Sequence, residues 1–298
     1  MRRRFFIVFN RTAGVPKPTF LSGVIDLLTR AGAVLTWSTA ADGEGARAQA
    51  EAAVRAGTVD AVVAAGGDGT VRQVLPALAG TATPLGLIPL GTGNVLAHEL
   101  GLARTPEAVA KALLEGATDR VRCARANGEL FLLMAGAGFD GRIVGALDQR
   151  LKVRLGQMAY AGPIVGALAR PLDALDVIVD GEATTASWVV ICNARHYGGR
   201  FLLAPRTTMA ASGLDVVLFR SRNRRRLVGQ LLALARGRLH RGREDIEVRH
   251  GHRVTVTSAP PVPVQIDGDS FGATPLNIEA DVAFVSLIRP QGPPSGSR

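Results

Sequence analysis

Asp68, Asp140, Asp267 and Asp269 stand beside glycines, where a carboxylate can meet a phosphate, a metal ion or a proton. Asp68 lies in Gly66-Gly67-Asp68-Gly69-Thr70. Glycines let backbone N–H groups approach a ligand and reach positive φ at low cost. Thr70 can cap a helix, whose N-terminus favours an anion. An acid beside a phosphate needs a cation or a basic residue between them. The pattern therefore suggests a nucleotide phosphate with a metal or a Lys/Arg partner; a plain tight turn would use the same residue types. Asp267 and Asp269 flank Gly268 at a strand end. Asp-Gly is a strong hairpin dipeptide. Alternatively, one of the two acids is a general base toward a hydroxyl, because neighbouring carboxylates can hold different pKa values. Asp140 lies in Gly136-Ala137-Gly138-Phe139-Asp140-Gly141, which has G-x-G-x-x-G spacing. A dinucleotide site would want an acid about twenty residues later, and Tyr160 and Ala161 stand there instead.

The elements that must carry these residues are legible. Phe5 to Phe9, Val34 to Trp37, Ala61 to Ala65 and Leu85 to Ile88 are short apolar runs, each followed by a polar turn and then by helical spacing. The turns are Asn10 to Gly14, Ser38-Thr39, Gly66 to Thr70, and Pro89 to Asn94. Successive βα units predict a parallel, doubly wound sheet with its turns gathered at the carboxyl edge, where such sheets bind ligands. After about residue 120 the rhythm changes to strands, with Asn127-Gly128 and Asp180-Gly181 as hairpin turns. The expected fold is α/β: a nucleotide-binding domain over 1–120, a β-rich, β-sandwich-like domain over 121–290 and a disordered tail over 291–298. Within the second domain, Leu155 to Ala169 and Arg224 to Leu239 read as helices, the first as buried core rather than as lining for an acyl chain.

Composition narrows the class. At 298 residues and 47% hydrophobic, the chain can bury a large core and is not globally disordered. Its net charge of +10 suggests an anionic partner. Aromatic residues total only 5%, with no aromatic-rich basic strand, which argues against nucleic-acid recognition. Cys123 and Cys192 lack the spacing of a zinc site, so a reducing cytosol is expected. No P-loop or zincin motif is present. No apolar run reaches the roughly 18 residues of a membrane span.

Taken together and in order, several motifs resemble the bacterial diacylglycerol kinase-like lipid kinases, relatives of sphingosine kinases. These are Gly66 to Thr70, Pro89-Leu90-Gly91-Thr92-Gly93-Asn94-Val95-Leu96-Ala97, Gly138-Phe139-Asp140, Asn193 to Gly199, Leu203-Ala204-Pro205 and Asp267-Gly268-Asp269. The glycine-aspartate motif alone is shared with NAD kinases and phosphofructokinases. The turn Gly91 to Asn94 followed by Ala97 points to the lipid-kinase branch. The resemblance implies ATP and Mg²⁺ as cofactors and an active site in the cleft between two domains. It places ATP on Asn10, Arg11, Thr12, Ala13, Gly14, Thr39, Gly66, Gly67, Asp68, Gly69, Thr70, Val71, Arg72 and Thr92. It places Asp68 and Asp140 in a magnesium–water network, and Asp267 or Asp269 as the base. The chain departs from the family pattern at Ser212-Gly213-Leu214-Asp215, where an acid commonly stands first near a structural magnesium. Either Asp215 takes over as ligand beside Ser212, or that site is absent. Arg11 stands where many members have proline.

The implied reaction moves the γ-phosphate of ATP to a lipid hydroxyl. Diacylglycerol, sphingoid and other lipid alcohols remain open, as does the oligomeric state. The run Arg220, Arg222, Arg224, Arg225, Arg226, Arg236, Arg238, Arg241 and Arg243 could bring the protein to the anionic inner face of the membrane; a solvated basic helix face would look the same. A soluble NAD kinase-like enzyme and a non-catalytic nucleotide-binding protein are the alternatives.

Overall fold

The computed structural model describes residues 1–10, 18–148, 151, 155–239 and 245–292, in two units: Met1–Val121 with the segment from Ala283, and Arg122–Val282. In the first unit, β1 (Arg4–Phe9), β2 (Val34–Trp37), β3 (Ala61–Gly66) and β4 (Leu85–Pro89) alternate with helices. These are α1 (Pro18–Arg30), α2 (Gly43–Arg55), α3 (Asp68–Leu78), the short α4 (Val95–Glu99) and α5 (Pro106–Glu115). The strands pair in parallel in the order β2-β1-β3-β4. Every residue of β3 and β4 is buried, as expected of strands inside a parallel sheet. Asp42 and Thr105 start α2 and α5 by accepting N–H groups from Gly45 and Ala108. Chain order and sheet order diverge on either side of β1, so the turns after β1 and β3 leave in opposite directions. In sheets of this kind such a divergence marks the part of the carboxyl edge where ligands bind.

The second unit is antiparallel. Its strands are β5 (Ala117–Ala126), which begins in the first unit, then β6 (Glu129–Phe131) and β7 (Met134–Gly138). Next come α6 (Phe139–Gly145), a 3-10 turn (Gly156–Tyr160), α7 (Ala161–Ala169), β8 (Leu175–Val179), β9 (Glu182–Ala186) and β10 (Trp188–Cys192). Then follow β11 (His196–Tyr197), β12 (Phe201–Leu202), β13 (Leu214–Phe219), α8 (Arg224–Ala235), β14 (Ile246–Gly251) and β15 (Arg253–Thr257). Last are β16 (Pro263–Ile266), β17 (Asp269–Ala273) and β18 (Leu276–Arg289). One sheet runs β14-β13-β10-β7-β16-β17; β18, β15, β8 and β9 pair in a second layer. Val177, Val254 and Leu276 from one layer meet Ala135, Val189, Val216 and Val264 from the other in a single buried cluster. That is the β-sandwich arrangement. β8 alternates buried and exposed residues strictly, as a strand with one solvated face must.

The hairpin dipeptides behave as their residue types dictate. Asn127-Gly128 and Asp180-Gly181 close β5–β6 and β8–β9 with positive φ at both positions, the geometry that matches strand twist in a two-residue loop. The far end of β18 pairs in parallel with β4 at Leu287 and Leu85, within the first unit. The chain past that strand is described as far as Gly292. Gln291 Nε2 donates to the Glu115 carbonyl at 2.9 Å. The rest of the expected tail lies outside the described residues.

The Leu155 to Ala169 segment is not the buried core helix that its composition suggests. It forms the 3-10 turn and α7, with Leu155 52%, Met158 77% and Val165 66% exposed. Of α7 only Ala167 is buried, with Pro163, Ile164 and Leu168 half-buried and the rest exposed.

Candidate functional site

In the first unit the four turns line up along the carboxyl edge in the order Thr39, Asn10, Gly66 to Thr70, Gly91 to Asn94. The Asn10 N–H donates to the Ala65 carbonyl at 3.2 Å, which extends β1 alongside the glycine turn. Thr39 is exposed and tied to Gln49 of α2, through its N–H and its hydroxyl at 3.0 Å each. Arg11, Thr12, Ala13 and Gly14 lie outside the described residues.

The two glycine turns are locked together, and their glycines are needed for contact. A Cβ on Gly91 would sit 2.6 Å from the Gly67 Cα, and one on Gly66 would sit 2.1 Å from Thr70 Oγ1. The Leu90 N–H donates to the Gly66 carbonyl at 2.9 Å. Asp68 completes the lock: its Oδ2 accepts the Val95 N–H at 2.9 Å and its Oδ1 the Leu96 N–H at 3.1 Å. Asp68 thus starts α4 from a distance, where the dipole of the first turn favours a carboxylate. Asn94 holds the other side of the turn in a left-handed conformation, φ 47°, with its amide donating to the Gly91 carbonyl at 2.6 Å. Thr70 Oγ1 and Thr92 Oγ1 are buried without a hydrogen-bond partner. Two orphaned hydroxyls beside two glycine turns are what a phosphate or its metal ion would satisfy. Val71 is buried on α3, and Arg72, half-buried, follows it on the same helix. Gly91→Ala is expected to push the turns apart and lower stability by about 1–3 kcal/mol. A thermal melt checks it.

In the second unit Asp140 and the Asp267-Gly268-Asp269 stretch are joined by a residue that motif reading passes over. Asp267-Gly268 is a two-residue hairpin loop with φ 48° and 83°, pairing Ile266 with Asp269. The two acids have opposite fates. Asp267 is 5% exposed, and its carboxylate accepts the N–H groups of Leu132 (2.9 Å), Leu133 (2.8 Å) and Met134 (3.0 Å). Asn193, also buried, secures the same bend by donating to the Arg122 and Leu132 carbonyls. Asp269, at the start of β17, is half-buried. Between them in space, Gln265 Nε2 donates to Asp140 Oδ2 at 2.9 Å and Gln265 Oε1 accepts the Gly268 N–H at 2.8 Å. One amide therefore links buried Asp140 to the loop that delivers Asp269. The available signal was a polar residue between Val264 and Ile266 in a strand buried at all three positions.

Asp140 stands in the first turn of α6 at 1% exposure. The glycines around it serve packing. A Cβ on Gly136 would lie 2.3 Å from the Asp140 carboxylate, and one on Gly141 would lie 2.1 Å from the Pro263 carbonyl oxygen. Gly138, at φ 88°, turns β7 into α6. The G-x-G-x-x-G spacing thus seats a helix against β7 and β16. Burial pushes the Asp140 carboxyl up to about 7, against the opposing pull of Gln265, the Gly141 N–H and the Trp188 indole. The folded state therefore holds this proton to higher pH than the unfolded chain. The stability it confers is complete below about pH 4 and is lost as pH rises through about 7. Asp140→Asn is expected to melt increasingly above wild type as pH rises from 4 to 8. A wild-type-minus-variant difference that stays flat across that range would refute the titration.

Ser212 and Asp215 make their contacts in two clusters whose histidines, His252 and His250, meet edge to face with ring centroids 6.0 Å apart. Ser212 Oγ donates to Asp281 Oδ2 at 2.6 Å and meets His252 Nε2 at 3.1 Å, with Arg122 3.5 Å from the same carboxylate. Burial would raise the Asp281 pKa; hydrogen bonds from Ser212 and Gly213 and the charges of Arg122 and His252 outweigh it and hold the group low. Asp215 accepts the Thr207 hydroxyl at 2.5 Å and meets His250 Nδ1 at 3.0 Å. Among the described residues no three His, Cys, Asp or Glu side chains converge on a metal position.

Residues 4–126 match the family model described as the diacylglycerol kinase catalytic domain. Residues 134–289 match the model described as the YegS C-terminal NAD kinase beta sandwich-like domain. A Mycobacterium tuberculosis protein named diacylglycerol kinase is 32% identical over 280 residues, covering 90% of this chain and 89% of its own. An uncharacterized Synechocystis protein is 32% identical over 77% of this chain, which spans only 54% of that relative's length. A crystal structure of a Bacillus anthracis diacylglycerol kinase superposes with a TM-score of 0.70 over 97% of both chains at 20% identity, a likeness of fold.

Proposed function

We propose that this chain, which belongs to the diacylglycerol kinase-like family of lipid kinases, transfers the γ-phosphate of ATP to the hydroxyl of a lipid alcohol. The observation that carries the nucleotide half is the pair of interlocked glycine turns with the orphaned hydroxyls of Thr70 and Thr92 beside them. Backbone N–H groups and hydroxyls at that edge would hold the β- and γ-phosphates, as phosphoryl transfer demands positioning and charge neutralisation above covalent chemistry. Mg²⁺ fits there as an ion carried on the phosphates rather than caged by protein: Asp68 is the only carboxylate in the two turns, and hydroxyl oxygens complete a hard donor set. When bound, it supplies the positive charge that lets the γ-phosphoryl group accept a nucleophile.

Asp269 is our choice for the base that takes the proton of the lipid hydroxyl. Asp267 has both oxygens committed to three backbone N–H groups, whereas Asp269 follows it on a rigid hairpin. Asp140, through Gln265, holds that hairpin at Gly268 and so acts on position rather than on substrate. Thr39, Asn10 and Arg72 complete the proposed nucleotide contacts from the neighbouring turns and α3.

The test is γ-labelled ATP with Mg²⁺, the purified protein and a panel of lipid alcohols in mixed micelles, resolved by chromatography. Label in one organic-phase lipid is the expected result and names the substrate class. Label appearing only in a soluble nucleotide would transfer the assignment to a nucleotide kinase. ATP binding without any transfer would favour a non-catalytic binder.

A further inference from the structure

We infer that helix α8 is an interfacial membrane helix, which lays an apolar stripe framed by arginines onto an anionic bilayer. Where the substrate is a lipid alcohol, as proposed above, such a surface brings the enzyme to it; the observations themselves concern only this helix. Leu227, Gln230, Ala233 and Leu234 turn inward and are buried. The outward stripe should then be polar, because an ordinary surface helix puts charge opposite its buried face. Here Arg225, Val228, Leu232 and Arg236 recur at spacings of three and four residues, with Val228 40% and Leu232 49% exposed. Large aliphatic side chains occupy the middle of the stripe and cations its ends.

The charge has the wrong sign for the helix alone. Arg224, Arg225 and Arg226 fill the first turn, which carries no acid, although a helix N-terminus favours anions. Arg222 precedes that turn, and Arg236 and Arg238 follow the helix, all exposed. Among the described residues none of these six arginines is paired with a carboxylate, whereas nearby Arg220 is held by Glu247 at 2.7 Å. The repulsion within the cluster is thus left for an external partner to offset. A polyanion such as nucleic acid would complement the arginines but offer nothing to Val228 and Leu232. An anionic bilayer complements both, with headgroups at the ends of the stripe and acyl boundary beneath its centre. Among the described residues no helix is long and apolar enough to cross a membrane, so α8 would lie in the interface rather than span it.

The experiment uses the full chain with sedimenting vesicles of phosphatidylcholine, alone or with phosphatidylglycerol. Wild type is expected to pellet only with the anionic vesicles. Each arginine near the surface contributes about fivefold in affinity, so Arg222→Gln/Arg224→Gln/Arg225→Gln together should weaken binding about a hundredfold. Val228→Ser/Leu232→Ser should weaken it at least about tenfold with the charge untouched. Leu232→Cys provides a direct probe, because both native cysteines are buried and escape labelling. An environment-sensitive dye there should shift to the blue on anionic vesicles. Both multiple variants should keep wild-type phosphorylation of a lipid alcohol in detergent micelles, where no bilayer is needed. Vesicle binding unchanged by either variant overturns the inference. So does arginine-dependent binding that ignores Val228 and Leu232 and leaves the dye in water, since that describes a general polyanion surface. If no lipid is phosphorylated in micelles while the dye shift and both losses are seen, the lipid-kinase reading falls and the interfacial helix stands.

Discussion

Asp269→Asn should lower turnover by about 10²–10⁴-fold, the usual contribution of a positioned general base, while ATP affinity and melting temperature stay near wild type. The carboxylate and its amide have the same shape, so the hairpin that carries position 269 is preserved. What disappears is the ability to accept a proton. Asp269 pairs with Ile266 across the tightest possible loop, and that loop is fixed by the Gly268 N–H on Gln265. Acting as the base proposed above, a carboxylate on such a support would need little reorganisation when the hydroxyl arrives. The measurement is steady-state phosphorylation of a micellar lipid alcohol, with ATP titration and a melt as companions. Near-wild-type turnover in this variant would remove Asp269 from the chemistry.

Asp267→Asn, two residues away, is expected to fail in the opposite manner. Its carboxylate accepts three buried N–H groups from Leu132, Leu133 and Met134. An asparagine turns one acceptor into a donor facing other donors, and it removes the negative charge that strengthened all three bonds. A buried N–H left unmet costs roughly 1–3 kcal/mol, so a loss of about 3 kcal/mol is expected. In a unit of this size that lowers the unfolding midpoint by about 10 °C. Activity per folded molecule should fall much less than in Asp269→Asn. The pair is decisive when read together: a melt that drops for position 267 and turnover that drops for position 269. If Asp267→Asn melts like wild type, the bend it secures is held by Asn193 and its neighbours alone.

Much of this molecule was written in local sequence. Apolar runs ending in polar turns specified a parallel sheet, because a strand covered on both faces must be apolar throughout, as Ala61 to Gly66 is. The Asn-Gly and Asp-Gly pairs specified hairpins, because few residues accept positive φ at two successive positions. The change of rhythm near residue 120 announced the β-rich half, and the order of motifs announced the family. None of this needed distant contacts.

Tertiary structure decided which acid does what. Asp68, Asp140, Asp267 and Asp269 look alike in sequence, each a carboxylate beside a glycine. Their roles diverge because residues far along the chain supply or withhold donors: Val95 and Leu96 for Asp68, Gln265 for Asp140, Leu132 to Met134 for Asp267. The same holds for the glycines. Gly91 is required by a backbone more than twenty residues upstream, and Gly136 by a carboxylate in the helix that follows it. The apolar centre of the α8 stripe was equally hidden, since a run of leucines and arginines does not reveal which side chains face inward until the sandwich takes its share. Local sequence sets backbone geometry; the fate of a charge or a methyl group depends on which groups the completed fold brings within a few ångströms.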